Sequence, residues 1–219
     1  MNIIKTALQC LYPTLCRCCE QLIPAEDIFC PACLADLKPI PSMVLPIGSR
    51  LSMKVLAVSP YQLPVRPLIT KKFSGDVLAS QQLARLMLSL TPIRQQAVDF
   101  LIPIPLHWTR YARRGFNQSY EMTKVLSPDL QAPVIRLLSR TRMTTFQWKL
   151  SGARRQENVK DAFNFHPWYR YADTTFLIDK HLVLVDDLCT TGATLVQAAK
   201  VLARVKPASI TALVGCRAV

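Results

Sequence analysis

The residues that most constrain this chain are VLVDDLCTTGATL, residues 183–195. Residues 181–185 form a short apolar, β-branched run, which reads as a strand buried on both faces. Asp186 and Asp187 stand where that strand is expected to end. Thr190, Thr191, Gly192, Ala193 and Thr194 follow, and then helical apolar spacing at Leu195, Ala198, Ala199, Leu202 and Val205. A strand that passes through a small-residue turn into a helix start is an anion site. Backbone N–H groups and the positive end of the helix dipole face the ligand, and threonine hydroxyls add donors. The acidic pair would repel a phosphate set against it. It suits ribose-type hydroxyls, which donate to carboxylates, or a bridging Mg²⁺. The ligand expected here is therefore a phosphate with hydroxyls beside it. Neither a G-x-x-x-x-G-K-[ST] loop nor a G-x-G-x-x-G fingerprint is present.

Composition bounds the partners. With 219 residues, half of them hydrophobic, the chain can hold one full-sized domain and a small module. Its formal net charge of +13 attracts polyanions: nucleic acid, anionic lipid or phosphorylated metabolites. Ile3, Ile4, Ala7, Leu8 and Leu11 share one helical face, but Lys5 and Gln9 break the apolar stretch and Tyr12-Pro13 ends it. A membrane span needs about twenty apolar residues, and no such run occurs, so no stable membrane insertion is expected. Gln9 stands where a small residue would precede a lipoprotein cysteine. The chain reads as cytoplasmic. The N-terminal amphipathic helix reads as one that docks on the protein itself, with peripheral contact at the inner membrane as the alternative.

Six of the eight cysteines precede residue 34. Cys16 and Cys19 are spaced C-x2-C, as are Cys30 and Cys33, with ten residues between the pairs. In a reducing compartment four such thiolates fit a tetrahedral structural Zn²⁺, each pair forming one knuckle; disulfides are the alternative where export occurs. Cys18 competes with Cys19 for the first pair, and the repeated spacing favours Cys19. Cys10, Cys189 and Cys216 read as small buried hydrophobes. Residues 38–50, with three prolines and a glycine, read as an extended linker. The expected division is 1–45, amphipathic helix and zinc module, and 51–219, the main domain.

Along the main domain, residues 55–58 predict a strand and 65–73 a short helix stopped at Gly75. Residues 77–90 predict a longer helix with Leu78, Leu83, Leu86 and Leu90 inward. The run FLIPIPL (100–106) predicts a strand ending near Ile104, because proline is poorly tolerated in a ladder. Arg110, Arg113, Arg114 and Gly115 then predict a second anion-binding turn, before a helix over 117–126. Residues 133–138 predict a third strand. A polar connection over 139–161 carries Arg140, Arg142, Lys149, Arg154, Arg155 and Lys160; a connection this long is functional or disordered.

Residues 183–195 closely resemble the phosphoribosyl-pyrophosphate (PRPP) motif of type I phosphoribosyltransferases: four apolar residues, two acids, two apolar residues, then T-T-G-x-T. The resemblance implies that Asp186 and Asp187 hold the ribose hydroxyls, with Mg²⁺ accompanying PRPP. Thr190, Thr191, Gly192, Ala193 and Thr194 would enclose the 5′-phosphate. Cys189 departs from the usual aliphatic residue but is small and apolar enough to pack there. The family's pyrophosphate loop falls on Arg110, Arg113, Arg114 and Gly115. Its flexible loop falls on 139–161, with Arg155. Basic residues there would neutralise a leaving group. They would equally track a nucleic-acid backbone, with Phe146, Trp148 and Phe163 stacking bases.

The whole order of motifs resembles the ComF (ComFC/GntX-type) competence family. It comprises the four cysteines, then Pro103, Pro105, Arg113, Arg114, Gly115, Phe116, Asn117 and Gln118. Gln147, Leu150, Arg155, Asn158, Val159, Ala162 and Phe163 follow, and then the PRPP motif. The resemblance implies an α/β fold: a type I phosphoribosyltransferase-like parallel sheet flanked by helices, with a small N-terminal four-cysteine zinc module. It also implies a competence factor for natural transformation that binds single-stranded DNA and assists its uptake from the cytoplasmic side. A DEAD-box-like ATPase and the DNA would be its partners. The alternative is an active phosphoribosyltransferase of nucleotide or salvage metabolism, whose acceptor and catalytic residues the sequence does not name.

Overall fold

The central strand of the molecule, β6 (His181–Cys189), runs past both aspartates before it ends. Its side chains alternate between two cores. Val183 and Val185 face one, while Leu182 and Leu184 face the other. This two-sided burial explains why the run lacks a polar face. The computed structural model describes residues 13–48, 51–70, 76–141, 162–169 and 172–218. The expected N-terminal helix, Cys10 and the stop at Gly75 lie outside these residues. So do Arg142, Phe146, Gln147, Trp148, Lys149, Leu150, Arg154, Arg155, Asn158, Val159 and Lys160.

Around β6 the sheet has the order β1-β2-β7-β6-β3, with β1 (Met43–Pro46), β2 (Ser52–Pro60), β3 (Phe100–Pro103) and β7 (Ser209–Arg217). The pairs β2–β7, β7–β6 and β6–β3 are parallel, and β1 alone runs antiparallel, against β2. The fold is thus α/β with a mostly parallel sheet, as expected. One face is covered by the cysteine module with its short α1 (Pro31–Ala35), α2 (Arg66–Thr70), α3 (Val77–Leu90) and α5 (Gln118–Leu130). The other is covered by α6 (Ala193–Leu202) and a ribbon of β4 (Leu138–Arg140) and β5 (Phe163–Phe165). Helix α3 begins where Asp76 accepts a hydrogen bond from the Ala79 N–H at 2.9 Å, which satisfies one donor of its open first turn.

Several expectations are corrected. The stretch read as a linker contributes β1; its prolines are tolerated because it is an edge strand. The strand expected at 55–58 is nine residues long, since its neighbour β7 supplies partners along its whole length. In α3, Leu83 and Leu86 face inward, but Leu78 and Leu90 are exposed, and Ala79, Ala84 and Met87 take the core positions. The third strand shrinks to one bridge, Val134 with Leu101, and Leu138 turns into the separate β4–β5 ribbon. The basic turn after β3 is a helix, α4 (Trp108–Arg114). His107 caps it, and Gly115 stops it in the left-handed conformation that a Cβ disfavours.

Candidate functional site

Strands β3 and β6 are neighbours whose chains leave in opposite directions. After β3 the chain passes through α5 on one face to the bridge at Val134 on the far side of β3. After β6 it passes through α6 on the other face to β7. Such a switch point opens a crevice beyond the strand ends, which is where open α/β sheets take ligands. The register shapes this crevice. Pairing of β3 with β6 ends at Pro103 opposite Val185, and the Ile104 N–H makes a last bond to the Val185 carbonyl at 3.0 Å. On its other side β6 stays paired to β7 as far as Cys189 opposite Arg217. Asp186 and Asp187 are therefore held in a rigid strand that overhangs its β3 neighbour.

Asp186 is positioned from two directions. Its Oδ1 accepts from the Ser119 hydroxyl at 3.1 Å and from the Asp187 N–H at 2.9 Å. Ser119 lies in the first turn of α5, and that helix is anchored by its cap residue Asn117. The Asn117 side chain accepts from the Ser119 N–H at 3.1 Å and donates to the Ile104 carbonyl at 3.0 Å. One asparagine thus ties the end of β3 to the start of α5, and the serine after it reaches β6.

Arg114 and Arg140 face this carboxylate pair, and Arg110 lies beside both arginines. Burial holds Arg114 below the ordinary arginine value; Asp187 and Asp186 oppose that shift and Arg113 adds to it. Arg110 is lowered by burial and by Arg114. Arg140 is lowered to about 10, chiefly by burial, then by Arg110, with Asp186 acting against the shift. It lies over the Phe163 ring at 5.3 Å. Arginine keeps its proton at neutral pH even so. Arg114 also donates to the Gln118 Oε1 at 3.2 Å, while the buried Gln118 Nε2 has no partner among the described residues.

Beyond β6, Thr190 and Thr191 lead to Gly192, the cap residue of α6, at φ 74°. Helix geometry gives the N–H groups of Ala193, Thr194 and Leu195 no carbonyl four residues back, whereas Val196 bonds the Gly192 carbonyl at 2.9 Å. Gly192 is buried beneath the Leu45 side chain of β1, and a Cβ there would collide with Leu45 Cδ1. Cys189 and Cys216 are buried thiols, pushed up to about 11 and about 12, mainly by burial.

Away from the crevice, the sulfurs of Cys16, Cys19, Cys30 and Cys33 lie within 4.8 Å of one another, close enough to bind a metal. Cys18 stands outside that cluster. Cys19 and Cys30 are 3.6 Å apart, near the sulfur–sulfur edge of about 3.8 Å that a tetrahedron with metal–sulfur bonds of ~2.3 Å requires. The Cys30 N–H donates to Cys16 Sγ at 3.4 Å, and the Cys33 N–H to Cys30 Sγ at 3.5 Å. Burial pushes the Cys16 thiol up, but the N–H groups of Cys19, Cys30 and Cys18 outweigh it and bring Cys16 down to about 6. Cys33 is pushed far up, first by burial and then by the neighbouring sulfurs. Cys16 is thus brought down while Cys19 and Cys33 are pushed up, so a cation seated among the sulfurs would find one ready thiolate first. The module is fastened to α3 by Arg17, which pairs with Asp76 at 2.9 Å and donates to Gln82 at 2.7 Å.

Residues 95–218 match the family described as phosphoribosyl transferase domain. The chain is similar to DNA utilization protein YhgH of Escherichia coli (strain K12), at 31% identity over 215 residues, 93% of this chain and 90% of that protein. It is similar to Competence protein F of Haemophilus influenzae, at 32% over 162 residues, 68% and 66% of the two chains. Competence protein ComFC of Bacillus subtilis is 33% identical over 112 residues, 51% of this chain and 41% of its own. The chain belongs to the ComF-type phosphoribosyltransferase family.

Of the residues expected from the sequence, the structure brings Arg114 to Asp186 and Asp187 and sets Arg110 beside Arg114, with the loop 190–194 next along the chain from β6. Arg113 is exposed on α4, and Arg155 lies outside the described residues. Sequence reasoning missed Ser119, named Gln118 only as part of the family motif, and assigned Arg140 to the loop. The one available signal was the N-Q-S sequence at a helix start, where short polar side chains cap the helix and can also reach a neighbouring strand. Among the described residues no helix is long and apolar enough to cross a membrane.

Proposed function

We propose that this chain is a competence factor for natural transformation. In this reading it binds PRPP with Mg²⁺ at the switch-point crevice. It also binds single-stranded DNA through its basic surface and assists that strand's uptake across the inner membrane from the cytoplasmic side, beside a DEAD-box-like ATPase. The observation that carries the ligand reading is the juxtaposition at the end of β6 of two carboxylates, Arg114 and Arg140, and a glycine-capped helix start. Asp186 and Asp187 would take the hydroxyls and accompanying Mg²⁺, Thr190 to Thr194 the 5′-phosphate, and Arg110, Arg113, Arg114, Gly115 and Arg155 the pyrophosphate or DNA phosphates. The names of the relatives and the charge of +13 support the DNA side of the reading. Zn²⁺ on the four cysteines would be structural, because four sulfurs leave no open position.

Titration calorimetry with PRPP and Mg²⁺ tests the crevice. Asp186→Ala combined with Asp187→Ala is expected to abolish binding and to lower stability, since Asp186 bonds Ser119 and the pair offsets buried arginines, while the circular dichroism spectrum still shows the native fold. A folded double variant with wild-type PRPP affinity would remove the assignment. Pyrophosphate release measured across candidate acceptors decides whether transfer chemistry accompanies binding. DNA binding is tested by its salt dependence, expected to be steep if several phosphates are contacted.

A further inference from the structure

Beside the arginine cluster, on the β3 edge, lies a half-open cavity of about 390 Å³ that shares Arg140 and Gly115 with the crevice but whose aromatic walls the crevice reading does not use. Its lining is aromatic and cationic: Trp108 and Tyr111 from α4, Tyr120 from α5, Arg136, Arg140 and His166. Trp108 is 72% exposed and Tyr111 50% exposed, although both are large rings next to a cavity. Helix α4 contributes no buried residue, so these rings are not spent on the core. Arg136 stands over the Tyr120 ring at 5.5 Å. On the far rim, His166 meets Trp168 edge-on with centroids 5.5 Å apart, and Trp168 is itself 83% exposed. The acid in the wall, Glu121, is paired with Lys124 at 2.6 Å.

Exposed rings bordered by guanidinium groups are what an unpaired base and its phosphates require: a flat apolar face to stack on and fixed positive charge beside it. The volume is at the lower end of small-ligand cavities, roughly 300–1,000 Å³, which fits one nucleotide. The rings continue past the rim at Trp168, so the surface suits a strand that enters and leaves. We infer that this cavity holds one flipped-out base of single-stranded DNA, stacked against Trp108 and Tyr111, with the adjoining phosphates on Arg136 and Arg140. The inference rests on the DNA-binding reading above and gives that reading a place on the molecule.

The test is fluorescence anisotropy of the full chain with a labelled twelve-residue deoxycytidine oligonucleotide, run alongside calorimetry with PRPP. Trp108→Ala combined with Tyr111→Ala is expected to weaken oligonucleotide binding about tenfold or more and to leave PRPP affinity unchanged. Arg136→Gln is expected to flatten the salt slope by about one unit. Photocrosslinking of an iodouridine-substituted strand is expected to label the peptide that contains Trp108 and Tyr111. If the wild type binds the oligonucleotide and the aromatic pair changes nothing, the cavity assignment is overturned while the DNA reading stands. If the wild type binds no oligonucleotide, both are overturned. Free deoxycytidine monophosphate that binds as tightly as the oligonucleotide would overturn the strand and leave a mononucleotide pocket.

Discussion

Gly192→Ala tests whether edge strand β1 covers the loop that leads into α6. Gly192 has φ 74° and ψ −4°, so an alanine must adopt the left-handed conformation at a cost of about 1–2 kcal/mol. A more restricted unfolded chain returns about 0.5 kcal/mol of this. The new Cβ also collides with Leu45 Cδ1 and lies 3.5 Å from Cδ2 and 3.6 Å from Cγ. Overpacking of this kind costs about 1–3 kcal/mol, and here the low end applies because the obstacle is the tip of a leucine on an edge strand. The single variant should lose about 2 kcal/mol. In a Leu45→Ala background the collision is gone and the same substitution should cost only about 1 kcal/mol, a coupling near 1 kcal/mol. Guanidinium unfolding midpoints of the wild type, both single variants and the double variant measure this directly, with zinc kept saturating. Additive effects within about 0.3 kcal/mol would mean that Leu45 does not lie over Gly192. A Gly192→Ala variant of undiminished stability would refute the left-handed turn itself.

Two further outcomes follow from the cysteine module. Elemental analysis of wild-type protein purified without chelator is expected to give one equivalent of zinc, and Cys30→Ser to abolish it and to lower the unfolding temperature, because metal affinity supplies folding energy; metal-free wild type would refute the site. Asp76 both caps α3 and pairs with Arg17, so Asp76→Ala should cost about 1.5–2 kcal/mol and Asp76→Asn, which keeps the cap, about 0.5 kcal/mol. Equal losses in denaturant titrations would show that the pair, and not the cap, holds this junction.

What could be read from the sequence divides along the distance over which each cause acts. The bounds of helix α3 were legible because the apolar spacing that carries it, with Leu83 and Leu86 inward, is a local signal. The strand-turn-helix at 181–202 and the two cysteine knuckles were equally plain, since each is made by neighbours in the chain. Strand β1 was hidden: Met43-Val44-Leu45-Pro46, with prolines close by, looks like a linker until β2 supplies hydrogen-bond partners. Helix α4 was hidden for a different reason. Its arginines suggested a turn, yet arginine, alanine and tyrosine are ordinary helix formers, and only Gly115 marked the end. The contact of Ser119 with Asp186 spans 67 residues, and no local pattern announces it.

The same long-range assembly explains why the carboxylates and arginines belong to one device. Arg110, Arg114 and Arg140 are all partly buried and each is destabilised by another guanidinium close to it. Arginine cannot relieve that by losing its proton, so the repulsion must be met by fixed negative charge. Asp186 and Asp187 supply it from β6, where pairing with β7 prevents the carboxylates from retreating. Arg114 and Arg140, with Arg110 beside them, set positive charge against the two carboxylates. A bare phosphate would gain from the arginines and lose against the aspartates. A ligand that presents hydroxyls to the aspartates and phosphate to the arginines and the start of α6 meets both signs at once. In the PRPP reading proposed above, discrimination between these two ligands would come from the acidic pair, and the strength of binding from the basic groups and the helix start.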